Sequence, residues 1–263
     1  MKYRNGRLLV LSVLSLALTA CVGGGSSSSS SSTAAAVDAS GIWSGTLTDN
    51  AGSPPTTSLI GVIAPSGQSF FVDTATGTEY ILPNLQGNAN YSGTATAFAG
   101  PGLVFPNGQN VANYSTSGTT NPQVSINGSY SGTGDSGTYS LAFNPLYNQA
   151  VTLATIAGPY TGTYYNGTAG SYSISVTISN SGAITGSDAF GCALTGQANV
   201  ITTGKDLFSI SLDSTGSGSS GFVCAGRLTG FAFEQPGTGS LPLLQVGVSN
   251  GTTFGAVAQL QHN

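Results

Sequence analysis

Ser171-Tyr172-Ser173-Ile174-Ser175-Val176-Thr177-Ile178-Ser179 alternates without a fault: apolar at the even positions, hydroxylated at the odd ones. A period of two means a β-strand with one packed face and one wet face. Asn180-Ser181-Gly182 then reads as a turn, and Ala183 to Thr185 starts a return strand. The same alternation recurs at Tyr139-Leu141-Phe143, Phe208-Ile210-Leu212 and Leu244-Val246-Val248. No window of twelve residues carries a helical period. Clusters of Gly, Asn, Ser and Pro interrupt the chain every eight to twelve residues, the spacing of hairpins in a sandwich or barrel. The expected fold class is therefore all-β and antiparallel.

An aromatic–hydroxyl–Gly–Thr element repeats. Gly41-Ile-Trp43-Ser-Gly45-Thr46 matches Gly158-Pro-Tyr160-Thr-Gly162-Thr163, with further copies at Gly128-Ser-Tyr130-Ser-Gly132-Thr133 and Asn90-Tyr91-Ser-Gly93-Thr94. The aromatic residue is expected to fill a core. The glycine two residues on shares its face and leaves a gap, which permits the bending that curls a sheet into a barrel. The Gly41 and Gly158 copies each head a half with about eight candidate strands, a number suited to a small closed barrel. The expectation is two barrel-like (or sandwich) halves in tandem, over residues 38–149 and 150–263. The link between them contains Leu146, Tyr147, Val151, Leu153 and Ile156, too apolar for a free linker, so it is expected to pack.

Charge is scarce. Three of the five Lys and Arg (Lys2, Arg4 and Arg7) fall in the first seven residues. Beyond them stand only Lys205 and Arg227, against nine Asp and Glu. A nucleic-acid partner needs clustered cations, so that class is excluded.

Catalytic motifs are also lacking. The one histidine, His262, is next to last and is expected to fray. With one histidine there is neither a Ser-His-Asp triad nor a His-rich zinc site. There is no phosphate-cradling Gly-x-x-x-x-Gly-Lys and no Asp-x-Asp-x-Asp calcium spacing. Asp49, Asp135, Asp188 and Asp213 lie beside Gly, Ser or Asn and read as turn formers. Lys205 and Asp206 read as the tip of a hairpin. Arg227 is expected to bridge a carboxylate such as Asp188, or else to mark a pocket. The expectation is a non-enzymatic protein with no catalytic residue, metal or cofactor.

The N-terminus assigns a compartment. Lys2, Arg4 and Arg7 precede an apolar run from Leu8 to Leu18, too short for a spanning helix and fitted to a secretory signal peptide over residues 1–20. Leu18-Thr19-Ala20-Cys21 resembles the bacterial lipobox. That resemblance implies cleavage before Cys21 and acylation of its sulfur and amine, palmitate included. Residues 21–37, with seven serines from Ser26 to Ser32, read as a flexible tether. Val22 in place of Asp favours the outer membrane by resemblance to enterobacterial sorting rules. With Cys21 taken by lipid, Cys192 and Cys224 remain in an exported segment and are expected to form a disulfide.

Gly41-Ile-Trp43 alone resembles, weakly, the Gly-x-Trp start of lipocalins and avidins. The fuller pattern of lipobox, tether, Gly-Ile-Trp-Ser-Gly-Thr, Gly158-Pro-Tyr160, Gly191-Cys192 and Cys224 resembles a group of uncharacterised lipoproteins of Gram-negative bacteria. The resemblance implies compartment and paired cysteines, and no catalysis. The functional expectation is an outer-membrane-anchored lipoprotein serving as a binding or structural module of the envelope, with an envelope protein or a small apolar ligand as partner. The alternatives are a lipocalin-like carrier and an integral outer-membrane β-barrel.

Overall fold

Among the described residues sixteen strands follow one another, each antiparallel to the strands it pairs with. The structure is a computed structural model and describes residues 36–50, 56–132, 134–166, 170–218, 223–236 and 242–263. The expected signal peptide, Cys21 and all but the last two residues of the expected tether lie outside the described residues.

The first eight strands are β1 (Gly41–Asp49), β2 (Thr56–Ile63), β3 (Ser69–Asp73), β4 (Glu79–Ile81), β5 (Asn90–Phe98), β6 (Val111–Asn121), β7 (Ser125–Gly132) and β8 (Asp135–Asn144). β8 returns to pair with β1, Trp43 opposite Phe143, and closes a barrel. A 3₁₀ turn, Pro145–Asn148, leads away. The second set is β9 (Gly158–Asn166), β10 (Gly170–Ile178), β11 (Ala183–Asp188), β12 (Ala193–Val200), β13 (Phe208–Thr215), β14 (Gly226–Gln235), β15 (Leu243–Ser249) and β16 (Gly255–His262). β16 pairs with β9, His262 opposite Tyr160, and closes a second barrel. The two expected halves are thus two eight-stranded up-and-down barrels.

The alternation at Tyr172–Ile178 now has an address. Val176 and Ile178 are buried in the lumen, while Ser171, Ser173, Ser175 and Thr177 face water. The repeat residues bend the wall. Trp43 and Tyr160 are fully buried, and a Cβ on Gly45 or Gly162 would collide with a backbone carbonyl of the adjacent strand, Ser140 O or Gln259 O. Only glycine admits that approach, which tightens the curl of each barrel.

The link packs as expected. Val151 and Ile156 belong to the core of the second barrel, and Tyr147 is buried with residues of both barrels. That shared cluster is made from outward-facing side chains. Ile42, Val62, Phe70 and Val72 of the first barrel meet Phe231, Phe233 and Val257 of the second. These strands are therefore apolar on both faces where the barrels touch, and the period of two disappears there.

Candidate functional site

The two lumens are filled differently. In the first, Tyr91, Tyr114, Tyr130 and Tyr139 project inward with Trp43 and Phe71. Their polar ends are partly satisfied inside. The Tyr139 hydroxyl is 2.6 Å from that of Tyr91 and 2.8 Å from Thr116 Oγ1, which donates to Ser129 O. Gly128 makes room for this cluster, since a Cβ there would strike both phenols. What remains is a gap of about 30 Å³.

The second lumen is larger and lined mainly by aliphatic side chains. Register explains it. Trp43–Phe143 in the first barrel corresponds to Tyr160–His262 in the second, so Leu141 corresponds to Leu260 and Tyr139 to Ala258. An alanine stands where the first barrel has its central phenol. The result is a cavity of about 80 Å³ walled by Ile174, Val176, Ile210, Leu228, Val246, Ala258 and other aliphatic residues. One water needs about 10–15 Å³ of such space and two to four polar partners, so this cavity has the volume for a ligand but no welcome for water.

Polar atoms gather at one end. Asp188 ends β11 and accepts from Phe190 N and Cys192 N through Oδ1, and from the Tyr164 hydroxyl through Oδ2 at 3.1 Å. Ser214, Ala225 and Phe254 complete this end of the cavity wall. The Cys192–Cys224 disulfide joins the β11–β12 loop to the β13–β14 loop beside it. The opposite end is stoppered by Val151, Ile156, Tyr160 and Phe208.

Several residues stand where the sequence did not place them. Asp188 does hold a turn, but it serves Tyr164 rather than Arg227, which lies across β13–β14 from Asp213. His262 does not fray. Its ring packs on Tyr160 with centroids 4.9 Å apart, and Nε2 lies 3.2 Å from Ala157 O. Asp49 and Asp135 are not simply turn residues. Both occupy inward positions at the end of the first lumen, where their side chains share a hydrogen bond, and burial followed by Asp49 pushes Asp135 up to about 6.

Three more acids were missed. Glu79, in β4, is fully buried against Gly255 of β16, neither carboxyl oxygen has a partner among the described residues, and burial raises its pKa well above the ordinary range. Asp206 lies in the β12–β13 connection as expected, yet it is fully buried. Its neighbour in space is Glu234 of β14, whose backbone N–H donates to Asp206 Oδ1 at 2.9 Å. The signal available in the sequence was phase: Glu234 is even-numbered, like the inward Leu228 and Ala232 of its strand. Among the described residues no group of three or more His, Cys, Asp and Glu side chains is placed to hold a metal ion. No protein-family model matches the chain, and no curated protein is similar enough to count as a relative.

Proposed function

We propose that this protein is a lipid-anchored, non-enzymatic binding module of the outer membrane, and that its second barrel takes a small apolar ligand in the lumen. The cavity of about 80 Å³ behind Tyr164 and Asp188 carries the reading. Its aliphatic wall offers burial at about 0.8 kcal/mol per CH₂ and nothing with which to do chemistry. A short alkyl chain or a single small ring suits it. The Tyr164–Asp188 pair at the polar end would meet a hydroxyl or other polar head. The anchor rests on the resemblance of Leu18–Cys21 to a lipobox, and Cys21 is the acylated residue.

The polarity of the exposed wall supports a protein standing in water. Where β10 is exposed it is hydroxylated outside and aliphatic inside, the reverse of a membrane-spanning barrel with its apolar outer band. Among the described residues no helix is long and apolar enough to cross a membrane.

Calorimetric titration with straight-chain alcohols from butanol to dodecanol tests the ligand reading. Affinity should tighten about 4-fold per added CH₂ until the lumen is full, then level off. Absence of saturable binding across the series would remove it. Intact mass of the membrane-extracted protein tests the anchor, which requires a chain starting at Cys21 and carrying acyl groups.

A further inference from the structure

At the base of the second barrel three polar atoms are buried without a hydrogen-bond partner among the described residues: Asp206 Oδ2, Glu234 Oε1 and the Tyr160 hydroxyl. Asp206 and Tyr160 are fully buried. The three residues belong to one ring of the barrel's base. Asp206 directly precedes β13, Glu234 ends the inward row of β14, and Tyr160 begins that of β9. The Glu234 N–H bond to Asp206 brings the two carboxyl-bearing segments together, and the charge of Glu234 reaches the Tyr160 phenol. Thr155, on the link that stoppers the barrel, lies beside the Glu234 carboxyl, and its hydroxyl donates to Thr152 O.

Among the described residues no positive side chain answers these acids. Lys205 is adjacent in sequence but turns away, its Nζ donating to Asn148 Oδ1 at 2.6 Å and lying over the Tyr147 ring. Arg227 is at the far end of β14. His262 contacts the Tyr160 ring, and its nitrogens meet Ala157 O and Asn263 O. Asp206 Oδ2, Glu234 Oε1 and the Tyr160 hydroxyl are thus three buried oxygens at the base of the barrel with no cation beside them among the described residues. A buried unpaired charge is costly, and so is each orphaned polar atom.

We propose that Asp206, Glu234 and Tyr160 form a binding site for a hard divalent cation of the calcium class, held between the base of the second barrel and the link to the first. Oxygen ligands of mixed carboxylate and neutral character are the donor set such ions take, and backbone carbonyls or water complete the shell. The ion would supply the missing counter-charge. It would also tie the link, through Thr155, to strands on both sides of the barrel base. The role is structural, and it is separate from the apolar cavity above.

Thermal melting of the intact folded domain after EGTA treatment, with and without millimolar CaCl₂, tests this directly. Calcium should raise the midpoint by about 5 °C or more, as expected for a ligand bound only by the folded state. Terbium bound at the same place should emit on excitation of tyrosine, through Tyr160, and calcium should displace it. The double variant Asp206→Asn/Glu234→Gln should lose both responses, and Tyr160→Phe should weaken calcium binding several-fold while keeping the fold. Asp188→Asn, at the other end of the barrel, should leave both responses intact. A wild-type midpoint indifferent to calcium, magnesium and EGTA would overturn the proposal, as would terbium emission that survives in the double variant.

Discussion

The ring of Phe70 in β3 lies over the backbone of Gly247 in β15, in the space a side chain there would occupy. The two barrels meet at this point because one of them carries no side chain. A methyl group at 247 collides with the Phe70 ring, and overpacking of this kind costs about 1–3 kcal/mol. Gly247→Ala should therefore lower the urea midpoint. Adding Phe70→Ala should recover part of that loss, so a double-mutant cycle should show coupling. Additive losses would mean that the contact does not join the barrels.

Stability should fall as pH rises from about 4 to about 7 in metal-free buffer. Burial holds the Asp206 carboxyl up at about 7 against 3.8 unfolded, and the first opposing influence is the Glu234 N–H bond. A folded value above the unfolded one means that the folded state binds the extra proton. Its contribution is complete below the unfolded pKa and is lost as pH passes through the folded one. Glu79, Glu234 and Asp135 are shifted in the same direction, so their effects add in sign. Asp206→Asn should flatten this slope, read as melting temperature across pH 4 to 8.

Filling the second lumen should trade binding for stability. Ala258→Phe places a ring where the first barrel has Tyr139. The variant should bind alcohols at least 10-fold more weakly, and its melting temperature should rise, since a packed cavity recovers about 24 cal/mol per Å³. A lower melting temperature with intact binding would show that the ligand sits elsewhere.

Removing the Cys192–Cys224 disulfide should cost about 3–4 kcal/mol for a loop with a sequence separation of 32. Its loss should also free the two loops at the polar end of the cavity. Cys192→Ala/Cys224→Ala is expected to lower the denaturation midpoint and to speed ligand exchange. Faster exchange distinguishes a rim role from a purely global one.

The strands were legible because alternation is a local signal. Tyr172 to Ile178 declares one wet and one dry face with no knowledge of the fold, and the Trp43 and Tyr160 repeats mark where each barrel begins. Within each barrel every strand lies beside its successor, and the first pairs with the last. What alternation does not reveal is what a polar residue on the dry face is for. Asp49 and Asp135 sit at strand ends, where a turn former and an inward-pointing acid look alike. Glu79 lies on the outside of its barrel, yet it is buried because a second barrel covers it. Asp206 looks like a loop residue until the link folds beneath it. The cavity was hidden for a related reason: Ala258 is an ordinary strand residue until β16 is set in register with β9 and compared with β8.

Closure of both barrels has a further meaning for a chain with so few charges. A sheet edge exposes unpaired N–H and C=O groups that invite another strand to add, and many proteins guard such edges with lysine or other charged residues. Charged residues are 5% of this sequence. β1 pairs with β8 and β9 with β16, so neither sheet has a first or last strand left to guard. Closure removes by topology the edges that charge would otherwise guard, and that protection should persist in high salt, where a charge-based defence would fail.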